Sequence, residues 1–180
     1  MISWHSLTNG YSLSFALIMR REPSRVGTGK LLAQDMIQKI KAIVDQLTGA
    51  PSWSYSDIYE QNSEADSIDF SHGNVHLVEI EKGSFNIHPT TGSFRDRKQL
   101  YLRFTKITDF DHLSSDRDPV IKEMEALAKE FVLKFNNSGE FDLLVGDIPY
   151  IYIHNSLDVN VSGIELQIQA RELYPESTCL

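Results

Sequence analysis

Residues able to do chemistry are present in this chain, but few are spaced for it. Arg25-Val26-Gly27-Thr28-Gly29-Lys30 approaches a phosphate loop. That loop needs a glycine five positions before its Gly-Lys pair and a hydroxyl residue after the lysine, and Ser24 and Leu31 hold those places. His72 and His76 are four apart, which on a helix would bring both to one face for a metal. Gly73 and the run that begins at Val75 read instead as a strand start, where four residues span ~13 Å. The six histidines (His5, His72, His76, His88, His112 and His154) form no H-E-x-x-H or cysteine-paired pattern. Asp109, Asp111, Asp116 and Asp118 crowd one loop. A calcium loop begun at Asp109 would need glycine where Ser114 stands and glutamate where Val120 stands. No G-x-S-x-G elbow exists, and Cys179, one residue from the end, has no fixed partner for nucleophilic work. The sequence therefore nominates no catalytic, cofactor-binding or metal-binding residue and no cofactor. An enzyme would have to gather distant groups, and segments 50–73 and 109–118 are the best placed to do so.

The background composition narrows the classes further. The 180 residues are 41% hydrophobic, enough to bury a sizeable core in one domain. The formal charge of −8 comes from 25 acidic against 17 basic residues, and no basic run exceeds Arg20-Arg21. Gripping a phosphate backbone takes clustered Lys and Arg, so this balance argues against specific nucleic-acid binding; an acidic surface would let DNA pass without sticking. A single cysteine cannot build an internal disulfide framework. No run approaches the ~18 apolar residues that span a bilayer, so no membrane partner is expected. The apolar stretch Tyr11 to Met19 is short, and Arg20, Arg21 and Arg25 follow it, the reverse of a secretory signal. Either 1–28 is a true N-terminal arm, or translation starts at Met19. Without such a signal the sequons at Asn136 and Asn160 are chance matches.

Periodicity supplies the elements. Arg20 to Gly29, with Pro23 and two glycines, reads as a linker. Lys30 to Leu47 carries Leu32, Met36, Ile40, Ile43 and Leu47 along one stripe and predicts a helix that Gly49 and Pro51 end. Residues 50–73, rich in Ser, Asp and Glu with scattered aromatics, read as a long irregular connection. Val75 to Ile80 and Ser84 to His88 predict a hairpin, and Pro89 to Gly92 a turn. Lys98 to Ile107 alternates as a half-buried strand. Asp118 and Pro119 suit the cap and first position of a second helix, whose apolar face runs from Val120 to Phe135. Phe141 to Val145, Tyr150 to His154 and Val161 to Leu173 predict the closing strands. The expected fold is α+β, with a mostly antiparallel sheet of about five strands and two helices packed on one face, in the order α-β-β-β-α-β-β. The domain would cover 29–175, with a flexible tail at 176–180.

This order resembles that of phage tail terminator, or tail-completion, proteins at the head–tail junction. The matching pieces are Lys30 to Leu47, Val75 to Ile107, Pro119 to Phe135 and Phe141 to Leu173. The segment Leu157-Asp158-Val159-Asn160-Val161-Ser162-Gly163-Ile164-Glu165-Leu166 is similar to the turn before the last strand in such proteins of Bacteroidetes phages and prophages. The resemblance implies a structural, non-enzymatic subunit of a virion, present in the host cytoplasm during assembly. It would form a homo-oligomeric ring, a hexamer, that caps the tail tube and joins it to the neck proteins and head. Two other classes stand beside it: a small intracellular enzyme using the 50–73 and 109–118 segments, and a non-enzymatic bacterial adaptor.

Overall fold

The computed structural model describes residues 28–80, 82–87, 90, 92, 94–109 and 114–173. Most of the expected arm 1–28, the tail at 176–180 with Cys179, and the middle of the acidic loop lie outside the described residues. So does most of the turn at 88–93.

The expected α+β architecture is present. Helix α1 (Thr28–Val44) leads to strand β1 (Ser52–Ser56), helix α2 (Ile58–Glu64) and a 3₁₀ turn (Ala65–Ser67). Strands β2 (Asn74–Val78), β3 (Lys82–Ile87) and β4 (Phe94–Ile107) follow, then helix α3 (Ser114–Asn137) and strands β5 (Tyr150–Ser156) and β6 (Val161–Ala170). The sheet runs β1-β2-β4-β6-β5, and β3 pairs with β4 beside β2. All pairings are antiparallel except β1 with β2.

The long strand β4 organises the sheet. It pairs with β6 from Lys98↔Ala170 to Ile107↔Val161. On its other border it takes β3 along Phe94 to Gln99 and β2 along Leu102 to Thr105. Alternation along these strands sends Val75, Leu77, Leu100, Leu102, Phe104, Ile164, Leu166 and Ile168 to one face, where they pack with α1 and α3. Helix α1 contributes Met36, Ile40 and Ile43, and Leu47 follows in the turn just beyond its end, so four of the five residues of the expected stripe are buried. Helix α3 contributes Met124, Leu127, Ala128, Phe131 and Phe135. Aromatic rings tie the layers together: Phe131 lies 5.7 Å from Phe104 and 5.8 Å from Phe135, which stacks on Phe141 at 4.5 Å.

The second face was not expected to be covered. Strands β1 and β2 are parallel neighbours joined through α2, and β4 and β5 are parallel strands joined through α3. Both connections step the same way across the sheet but start from strands of opposite direction. The right-handed crossover rule then places α2 and α3 on opposite faces. Two bonds hold α2 there: Asn62 Nδ2 donates to Asp158 Oδ2 and the Asp158 amide donates to Asn62 Oδ1, each at 3.0 Å. The structure thus adds one strand and one short helix to the expected order. It also corrects 50–73 from an irregular connection to a strand and a helix, the latter capped by the Asp57 carboxylate, which accepts from the Glu60 amide.

Other boundaries differ: α1 ends at Val44, short of the expected Leu47, and β4 begins at Phe94, ahead of the expected Lys98. Helix α3 begins at Ser114, so Pro119 sits inside it and not at its first position. Phe141 to Val145 forms no strand, only the single bridge Phe141↔Glu172. Its backbone is satisfied otherwise: the Asn136 side chain accepts from the Leu144 amide at 2.7 Å and donates to the Leu144 carbonyl at 3.1 Å, taking the role of a strand neighbour.

Gly163 marks the tightest approach in the sheet, since a Cβ built there would run into the carbonyl of Phe104. Gly163→Ala is expected to lower stability by about 2–3 kcal/mol through backbone displacement. Urea unfolding would read this as a lower midpoint with an unchanged slope.

Candidate functional site

Three regions combine polar or reactive groups with shape: a closed polar layer beneath α2, an open polar groove, and the outer border of the sheet.

In the polar layer, register aligns Ser54, His76, Arg103 and Glu165 across four strands. Ser54 Oγ lies 2.9 Å from His76 Nδ1 and 3.1 Å from Asn74 Oδ1. Arg103 Nε donates to Glu165 Oε2 at 2.7 Å. His76 is fully buried, and this burial, followed by the nearby Arg103 guanidinium, lowers its pKa from 6.5 to about 4. A serine–histidine contact is the start of a nucleophile and base, but none of the hydrogen bonds around His76 comes from a carboxylate, and the ring is sealed from solvent. Its Nε2, the Thr105 hydroxyl and both amide atoms of Gln61 are buried without a hydrogen-bond partner. His76 and Gln61 are buried in this layer, out of reach of a substrate.

The open polar groove, of about 440 Å³, lies on the same face under the 142–149 segment. Arg97, Gln99, Gln167, Gln169 and Arg171 line it. Arg171 is ion-paired with Asp142. Among the described residues that line this groove there is no histidine, cysteine or serine.

At the outer border, β5 is an end strand of the sheet. The Gln167 amide donates to the Pro149 carbonyl at 2.9 Å, which makes that pair hydrogen-bonded and sets the alternation that follows. The backbone groups of Ile151 and Ile153 then face β6, and those of Tyr150 and Tyr152 face outward. Tyr150, Ile151 and Tyr152 are 50%, 51% and 45% exposed. Isolated edges are commonly protected by lysine, proline or an early bulge. Tyr150–Ser156 contains neither residue, and its irregularity comes only between Ile153 and Ser156. The Tyr152 hydroxyl is pushed up to about 12, first by its hydrogen bond with Tyr150 and then by partial burial and the Glu125 carboxylate, so it stays neutral.

Beside this edge runs an apolar groove of about 360 Å³ between α3 and the sheet, walled by Ala128, Val132, Leu133, Tyr150, Ile164 and Leu166. Its two charged residues neutralise each other, Lys129 Nζ lying 2.6 Å from Glu125 Oε1. Leu133, on its rim, is 64% exposed. Unpaired backbone and a neutral apolar trough thus meet on one border.

The residues weighed in the sequence are scattered. His72 is exposed in a turn and His76 is buried in β2. Asp116 and Asp118 are exposed on the first turns of α3. Among the described residues, no three His, Cys, Asp or Glu side chains gather as a metal would require. No described helix is long and apolar enough to cross a membrane. Sequence reasoning found the strand at Tyr150 to His154 but not that it borders the sheet; the absence of lysine from an alternating strand after Pro149 was the available signal. No protein-family model matches the chain, and no curated protein matches it in sequence. The class defined here is an α+β chain with a mixed six-stranded sheet.

The buried imidazole has a measurable consequence. Below pH 6.5 the unfolded chain binds a proton at His76 that the folded chain refuses until about pH 4. This contribution to stability is complete above pH 6.5 and falls as the pH drops towards 4, by about 1.4 kcal/mol per pH unit. Urea unfolding at pH 7 and pH 4.5 is expected to show a smaller difference for His76→Gln than for the unaltered chain.

Proposed function

We propose that this chain is a structural ring-forming subunit of a phage or prophage tail or neck, which caps the tail tube and joins it to the head. The observation that carries this reading is the β5 border, where outward backbone groups, three half-exposed side chains and an apolar trough lie together. A surface of this kind is suited to strand addition from another chain. Leaving aside β1 and α2, the order α1, β2, β3, β4, α3, β5, β6 is that of the tail-completion proteins the sequence resembles. The net charge of −8 suits a ring through which DNA slides without binding.

Light scattering over a range of concentrations is expected to give a mass that is a multiple of the chain, or else the chain is expected to co-sediment with purified tail tubes. A single copy at every concentration, together with no binding to tubes or neck proteins, would contradict the proposal.

A further inference from the structure

The β5 border calls for an occupant with particular chemistry: an extended segment, uncharged, apolar on the side towards α3 and tolerant on the other. Tyr11 to Met19, outside the described residues, has that pattern in its sequence. Tyr11, Leu13, Phe15, Leu17 and Met19 recur at every second position, with Ser12, Ser14, Ala16 and Ile18 between them and no charge in the nine residues. Nine residues extended as a strand cover ~30 Å, enough to run the length of the β5 edge. The residues between Met19 and α1 include Pro23 and Gly27, and eight extended residues reach up to ~29 Å.

We infer that Tyr11 to Met19 of one copy adds to β5 of a neighbouring copy as an outer strand. Its backbone pairs with Tyr150 and Tyr152, and Leu13, Phe15 and Leu17 cover the groove beside Val132 and Leu133. Tyr150 and Leu133 are half exposed or more, which leaves apolar surface for such a segment to cover, and the self-assembly of the proposed function supplies it from a neighbouring copy. Exchange of arms around a closed ring would give every β5 the same partner. The inference rests on the self-assembly part of the proposed function and names the surface and the segment that would carry it.

The test uses a labelled peptide covering Asn9 to Glu22, whose two arginines aid solubility, and a chain begun at Met19. Fluorescence anisotropy is expected to show saturable binding of the peptide to the shortened chain. Leu133→Glu in the chain, or Phe15→Asp in the peptide, is expected to weaken it at least tenfold. Leu133 projects into solvent, so circular dichroism should show its variant folded; if it is not, the Phe15→Asp peptide on the unaltered chain decides alone. The full chain is expected to be oligomeric and the shortened chain to lose that state. Absence of saturable binding, or binding insensitive to both changes, overturns the inference. So does a full chain of single-copy mass that excludes the peptide its shortened form binds, since the arm then folds onto its own β5. A shortened chain that still forms rings overturns the arm assignment and leaves the proposed function standing. A full chain that neither oligomerises nor binds tubes contradicts both.

Discussion

Strand β4 is the constraint on which the other elements depend. It has strand neighbours on both borders, β6 along Lys98 to Ile107 on one side and β3 and β2 on the other. No single neighbour spans it on the β2 side, so the chain bends between Val78 and Lys82 to cover its length in two pieces. Phe104, at the middle of this paired region, faces the helices and is fully buried against Phe131. The β1–β2 and β4–β5 connections step the same way from strands of opposite direction, so right-handed crossovers put α2 and α3 on opposite faces, and the strand order leaves β1 and β5 at its ends. The open edge is thus a consequence of topology, independent of any local feature of β5.

The two faces then serve different ends. Beneath α2 the layer is polar, closed and partly unsatisfied: Arg103 is paired with Glu165, while Gln61, His76 and Thr105 hold buried atoms without partners. Such groups cost stability unless ordered water reaches them. A buried ion pair of this kind also stabilises little in net terms, though losing one partner would cost about 3–5 kcal/mol. On the other face the core is apolar and continuous, and beside β5 it meets the surface at Leu133 and Tyr150. Among the described residues no strand pairs with the outer side of β5.

The legible parts of the fold were those with strong periodicity. The α1 stripe from Met36 to Ile43 and the alternation of Leu100, Leu102 and Phe104 stated their own faces, and the α3 stripe from Met124 to Phe135 did the same. The 50–73 segment was opaque because β1 is five residues of alternating serine and aromatic, and α2 is seven residues without an apolar repeat in sequence, with the polar Gln61 buried. Pro119 marked a helix start by the usual rule, yet the chain forms another turn before it. Phe141 to Val145 has strand composition, but Asn136 claims its backbone from a helix, a side-chain bond across eight residues that composition does not encode. Pairing order is the same kind of information: which strand lies at the border depends on the crossovers, and that is why the candidate surface emerged only with the structure.

The claim at the centre is that β5 is an open edge which a second chain covers. Amide hydrogen exchange measured at low and high protein concentration reads this directly at Tyr150 and Tyr152, whose N–H groups point away from β6. Fast exchange in dilute solution, slowed at concentrations where copies associate and unchanged at Ile151 and Ile153, is the result expected. Equal protection of all four amides at every concentration, or fast exchange that persists in assembled protein, would contradict it.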